Sequence, residues 1–157
     1  KSLRFYGMKD NYFSYVPGFN SRLDEVHAAI LRYKLKKLED HIKKRREIAK
    51  IYDMELLNTS LKLPFEKENR KHSYYLYVVR HKDRSLLMNK LREKGIRLNI
   101  SYPWPIHTMP AFSNKCIVNS SLPETEIACN NVFSLPMYPS LSEEKQNTVI
   151  KTIKNIL

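Results

Sequence analysis

The sequence predicts a mixed α+β domain with three strands and four helices, and three observations carry that prediction. Apolar residues recur at helical spacing from Leu23 to about Leu57, with no Pro or Gly between them. The run "HSYYLYVVR", His72 to Arg80, is dense in β-branched and aromatic residues, as strands are. The chain closes on a segment whose Val149, Ile150, Ile153 and Ile156 again fall at helical spacing.

Each element follows in order. Residues 1–20 carry no helical period, and Tyr12, Phe13, Tyr15, Val16 and Phe19 form an aromatic-rich extended segment. Ser21 offers a capping oxygen and Asp24 a capping-box-like partner three residues on, so a helix is expected over 22–57 with Leu23, Val26, Ile30, Tyr33, Leu38 and Ile42 as its buried stripe. Residues 58–70 are polar and read as a loop. His72 to Arg80 then reads as a strand covered on both faces. Asp83 starts and Gly95 ends a short helix with Leu86, Leu87 and Leu91 inward. Ile96 to Ser101 alternates as a second strand, and the Pro-rich "YPWPIHTMPAF" is an ordered loop. Pro123 opens a helix, "VFSLPMYP" supplies the third strand and its exit, and Ser142 with Glu143 and Glu144 opens the last helix. The expected organisation is an entry segment and turn over 1–21, the long helix over 22–57, and a small α+β domain over 58–157.

A length of 157 residues suits one domain with a real core. The chain begins Lys1-Ser2, without an initiator Met, which suggests a piece of a longer protein. No apolar run is long enough to span a membrane and no signal-peptide pattern opens it, so no membrane association is expected. Cys116 and Cys129 lack metal-type spacing and read as free thiols of a reducing, cytoplasmic compartment. No metal site is expected, since His72, His107 and the cysteines are scattered. The net charge of +12 fits a nucleic acid, an acidic partner, or merely a Lys-rich composition.

Two stretches could carry chemistry. In Gly18-Phe19-Asn20-Ser21-Arg22, a sharp turn, an amide with two donors and a guanidinium precede a helix start, which together suit a phosphate. The same residues also suit an ordinary capped helix, whose dipole Asp24 and Glu25 already satisfy. The loop holding Tyr102, Trp104 and His107 could fix those groups over a ligand, or plug a core edge. The basic segment Arg32 to Lys50 has no nucleic-acid motif and reads as a solvated helix face. There is no Gly-rich phosphate loop, nucleophile elbow or catalytic carboxylate pair.

Six segments in register resemble one family: "GFNSRLDEVHAAIL", "RREIAKIYD", "HSYYLYVVR", "DRSLLMNKLREKGI", "YPWPIHTMPAF" and "LPETEIACNNVFSLPMYPSLSEE". In this order and spacing they are similar to the C-terminal part of the DegT/DnrJ/EryC1/StrS sugar aminotransferases. The resemblance implies the small C-terminal domain of the aspartate-aminotransferase architecture (fold type I), with a small, mostly antiparallel sheet flanked by helices. It implies pyridoxal 5'-phosphate (PLP) as cofactor, glutamate as amino donor, a nucleotide-linked keto-sugar as substrate, and a homodimer. It places Asn20 on the PLP phosphate of the partner subunit, with Arg22 in the same turn. It places Tyr102 beside the partner's active site and gives His107 a looser role in the same loop.

Ser101 stands where many members have histidine, so a sugar or nucleotide contact is expected to differ. The family's Schiff-base lysine and its pyridine-pairing aspartate match nothing here, and the resemblance puts both upstream of Lys1. PLP chemistry needs them as anchor and electron-sink partner, so this chain by itself is expected to be inactive. Two rivals stand beside the enzyme reading: a non-catalytic binding or scaffold domain derived from the family, and a basic nucleic-acid-binding domain.

Overall fold

The computed structural model describes residues 2–10, 13–113 and 120–157. Tyr12 and Cys116 lie outside the described residues. The chain forms two compact units, Lys1–Glu39 and Asp40–Leu157.

The first unit opens with a short 3-10 turn, Ser2–Arg4, then β1 (Met8–Asp10) antiparallel to β2 (Phe13–Ser14). Backbone hydrogen bonds tie its two ends together: Phe19 N–H donates to the Leu3 carbonyl at 2.7 Å, Tyr6 N–H to Phe19 at 3.0 Å and Ser21 N–H to Arg4 at 2.9 Å. The unit's helix is α1 (Glu25–Leu35), and it buries no residue.

The expected single helix over 22–57 is two helices, α1 and α2 (Leu38–Leu56). Lys37 N–H bonds back to the Lys34 carbonyl at 3.0 Å, a tight three-residue step that ends α1 without Pro or Gly. The start differs too. Asp24, not Ser21, is the N-cap, and its carboxylate accepts the His27 N–H at 2.8 Å. The expected buried stripe is exposed in this chain: Val26 at 70%, Tyr33 at 61% and Leu23 at 56%. Only Ile42 of that set is half-buried.

The second unit carries the core. From α2 it takes Ile48, Ala49, Tyr52 and Leu56, spaced for one helix face. Against them pack Tyr77 and Val79 of β3 (Tyr77–Arg80) and Phe133 and Leu135 of β4 (Val132–Leu135). The strands pair antiparallel, Tyr77 opposite Leu135 and Val79 opposite Phe133. β3 is shorter than expected and covered on one face, since Val78 is exposed. It does not reach back to His72, because Tyr74 takes a left-handed φ of 46° and donates its N–H to His72 Nδ1.

The expected strand over 96–101 reduces to one bridge, Asn99 to Ser134 on the open edge of β4. Pro103 and Pro105, just beyond, cannot donate to a longer ladder.

α3 (Arg84–Glu93) buries Leu87 and Leu91, while Leu86 faces out at 58% exposure. The Asp83 side chain does not cap it; instead its N–H donates to His81 Nδ1. Gly95 ends it as expected. At φ 78°, it lets Gly95 N–H reach the Arg92 carbonyl and Ile96 N–H reach Leu91, a Schellman ending sealed by buried Ile96 and Leu91.

The Pro-rich segment 102–112, expected as a loop throughout, runs at its end into the short helix α4 (Pro110–Ser113), which a proline can lead because its missing N–H has no partner to lose there. α5 (Pro123–Asn131) is likewise led by Pro123. Arg84 spans to the end of α5, donating to the Cys129 and Val132 carbonyls. α6 (Glu143–Ile156) is capped by Ser142 and buries Val149, Ile150 and Ile153. Its buried Gln146 donates Nε2 to the Ile48 carbonyl at 2.8 Å, fixing α6 against α2. The Tyr52 hydroxyl reaches the Pro136 carbonyl at 3.1 Å, and burial pushes the Tyr52 phenol well above its usual range. Among the described residues, no helix is long and apolar enough to cross a membrane.

Candidate functional site

Asn20 is held by its neighbours' backbone. It forms an antiparallel bridge with Phe5, while Phe19 and Ser21 on either side bond to Leu3 and Arg4. Gly18 makes this approach possible, though not by a left-handed turn as its sequence context suggested. A Cβ there would lie 2.1 Å from Gly7 N and 2.5 Å from the Tyr6 carbonyl carbon. The two chain segments can therefore touch only with glycine at 18.

The Asn20 side chain is exposed, and its Oδ1 accepts Nε–H of Arg22 at 3.2 Å. The Arg22 guanidinium lies over the Phe5 ring at 5.2 Å and the Tyr6 ring at 5.7 Å from the centroids. Asn20 and Arg22 are thus brought together, with two aromatic rings beneath the arginine.

The helix start contributes less than the sequence suggested. The α1 amides begin beyond Asp24, whose carboxylate already occupies them. Hydrogen bonding to His27 holds the Asp24 carboxyl below its usual range. The side-chain donors left to the turn are therefore those of Asn20 and Arg22.

The second group sits in the loop of the other unit. Asn99 Nδ2 donates to Ser101 Oγ at 3.2 Å. Tyr102 is 79% exposed and Trp104 68%. The loop then closes into a 3-10 turn, Ile106–Thr108, in which Thr108 donates both its N–H and its hydroxyl to Pro105. His107 Nε2 lies 3.1 Å from Glu126 Oε1 of α5. His107 therefore braces the loop against α5, and Ser101, Tyr102 and Trp104 are among the side chains that the loop leaves exposed. Asn20 and Arg22 belong to one unit and Ser101, Tyr102 and His107 to the other.

Two parts of the site escaped the sequence. Phe5 and Tyr6 had no periodic signal, because their role depends on pairing with residues thirteen or more positions away. Glu126 as the partner of His107 lies on an element the loop gives no hint of. Among the described residues, no group of three His, Cys, Asp or Glu could hold a metal ion. Cys129 is a half-buried free thiol.

The basic helix is partly committed to internal contacts. Arg46 donates to Glu66 at 3.0 Å and to the His72 carbonyl at 2.8 Å, and Arg45 donates to the Ser73 carbonyl at 3.2 Å. These bonds fasten the 66–73 loop to α2.

This α+β arrangement of small antiparallel sheets and flanking helices superposes over 99% of the chain on solved aminotransferases. The profile of the DegT/DnrJ/EryC1/StrS aminotransferase family matches residues 1–154, and the chain belongs to that family.

Among its relatives, the dTDP-3-amino-3,4,6-trideoxy-alpha-D-glucose transaminase of Micromonospora megalomicea subsp. nigra is 43% identical over 100% of this chain and 44% of its own length. A Geobacillus stearothermophilus protein named pleiotropic regulatory protein is 37% identical over 96% of this chain and 41% of its own length. Among solved structures, S. venezuelae DesV in complex with a ketimine intermediate superposes with a TM-score of 0.92 at 32% identity, over 99% of this chain and 42% of that one. The chain thus spans less than half the length of these relatives.

Proposed function

We propose that this chain is the C-terminal portion of a PLP-dependent aminotransferase that converts a nucleotide-linked keto-sugar to an amino-sugar, with glutamate as amino donor, in deoxyamino-sugar or surface-polysaccharide biosynthesis. One observation carries the reading: the family match spans residues 1–154, both units included, and transaminases of dTDP- and UDP-linked sugars are among the relatives. PLP, when bound, supplies the electron sink for moving the amino group.

The residues present fit its phosphate. The Asn20 NH2 is a pure donor on an exposed, rigidly backed position, and acceptor oxygens are what it can bind. In the homodimer, Asn20 would serve the partner subunit's cofactor. Tyr102, held out by the braced loop, would wall the partner's sugar site, with Ser101 beside it. His107 keeps that loop in place through Glu126. The lysine and aspartate that complete the chemistry belong to the part of the protein preceding this chain. Their absence here leaves the chain alone silent.

The test is a screen of the whole protein with glutamate and a panel of dTDP- and UDP-linked 3-keto and 4-keto sugars. The expected result is an amino-sugar nucleotide formed one-for-one with 2-oxoglutarate. A whole protein that binds PLP but turns over none of them contradicts the substrate class. A second reading, a non-catalytic binding or scaffold domain derived from the family, is favoured by one relative's regulatory name. Failure of the whole protein to bind PLP at all would select it.

A further inference from the structure

The carboxamide of an asparagine has one acceptor end and one donor end, and rotation about its last bond exchanges them at little cost. A phosphate can use only the donor end. Something must therefore hold the Asn20 oxygen away from the ligand.

Arg22 has that property: it carries donors and no acceptor, so the atom it holds at 3.2 Å must be Oδ1. The NH2 is then turned to the opposite side, where among the described residues it meets no acceptor of the protein. Arg22 is itself seated. Its guanidinium lies over Phe5 and Tyr6 at 5.2 and 5.7 Å, and those rings are fixed by the Phe5–Asn20 bridge and the bond from Tyr6 N–H to Phe19. Phe5, Asn20 and Arg22 thus form a closed set in which the arginine is engaged at Nε and on its face.

We infer that Arg22 is a positioning residue, seated on Phe5 and Tyr6, that sets the Asn20 amide with its donor end outward, and that it is not itself a ligand of the anion. The inference rests on the reading of Asn20 as a phosphate donor given above.

The test measures PLP affinity of the whole protein by absorbance, alongside pyridoxal, which lacks the phosphate. Asn20→Ala should weaken PLP about tenfold to a hundredfold and leave pyridoxal unchanged. Arg22→Met, which keeps the chain but loses the donor, should weaken PLP about threefold to tenfold, also without effect on pyridoxal. Arg22→Gln is the discriminating variant. Its Nε2 stands as many bonds from Cα as the arginine Nε, so it keeps the donor and loses the charge. PLP affinity of R22Q should stay within about threefold of wild type. The double variant N20A/R22M should be no weaker than N20A, because the arginine acts through the asparagine.

Equal weakening in R22Q and R22M, with the double variant weaker than N20A by the full Arg22 factor, would make the arginine a direct charge contact. That overturns the inference and leaves the proposed function standing. An R22M with wild-type affinity overturns it as well. If N20A binds PLP like wild type, the reading of Asn20 fails and the inference with it. Thermal melts of all variants identify any that unfold, and R22Q then carries the decision.

Discussion

The two units are built by different means. In Asp40–Leu157, apolar side chains from α2, β3, β4, α3 and α6 close on one another, and Tyr52, Leu91 and Ile153 reach zero exposure. In Lys1–Glu39, the buried position among the described residues is Gly7. There the order comes from backbone bonds between residues 3–6 and 19–21 and from Arg22 seated on two rings. Phe19 at 74% and Val26 at 70% stay exposed beside them. Stability is concentrated in the second unit, and Asn20 and Arg22 stand in the first, which has no apolar core among its described residues. That division is the expected one for a site, since donors that meet a ligand must stay out of the core.

Substitutions should separate along that line. The largest stability loss is expected from Ile153→Ala, which opens a cavity at the centre of the second unit and should cost about 2–5 kcal/mol in chemical denaturation. Gly95→Ala follows: a Cβ there meets no neighbouring atom, so the cost is the left-handed φ alone, about 1–2 kcal/mol. Asn20→Ala should reverse the pattern. Its unfolding midpoint should stay within about 0.5 kcal/mol of wild type, because Asp24 and not Asn20 caps α1. A large stability loss in N20A, or none in I153A, would erase the contrast between the units.

The acid limb offers a subtler probe. The Arg46 guanidinium, together with His72 N–H, holds the Glu66 carboxyl below its ordinary value of 4.5. A carboxylate depressed in the folded state stabilises above the unfolded value and loses that contribution as pH falls through the folded one. Stability should therefore decline on acidification from about that point, and Glu66→Gln should flatten this part of the curve. An unchanged slope in E66Q would show the ion pair to be solvent-screened. The smallest effect is expected from reversing Lys43 and Lys44 to Glu, both exposed on α2: within about 0.5 kcal/mol, with activity of the whole protein retained. Loss of activity with the fold intact would mean that this face recognises something.

The same contrast governs what the sequence could reveal. Gly95, Pro123 and Ser142 announce their elements because each acts on its own backbone or the next few residues. The break at Lys36–Lys37 leaves no such mark, since the apolar period runs past it and one three-residue step is enough. Ser21 and Asp24 both look like caps, and only the entry path of the chain chooses between them. Ile96 to Ser101 alternates like a strand but finds one partner, because β4 is short and prolines follow.

Of the two candidate groups, the turn at Asn20 and the loop at Tyr102 are each legible as segments. The Phe5–Tyr6 seat and the Glu126 brace are not, because long-range pairing brings them in.

The most direct test of the account is the glutamate half-reaction, followed by the absorbance of the bound cofactor. The whole protein loaded with PLP should convert it to the pyridoxamine form with one equivalent of 2-oxoglutarate. Residues 1–157 alone should not, since the proposed function assigns the Schiff-base lysine to no residue among them. A loaded whole protein that leaves PLP unchanged with glutamate, or residues 1–157 alone carrying out the stoichiometric conversion, would contradict it.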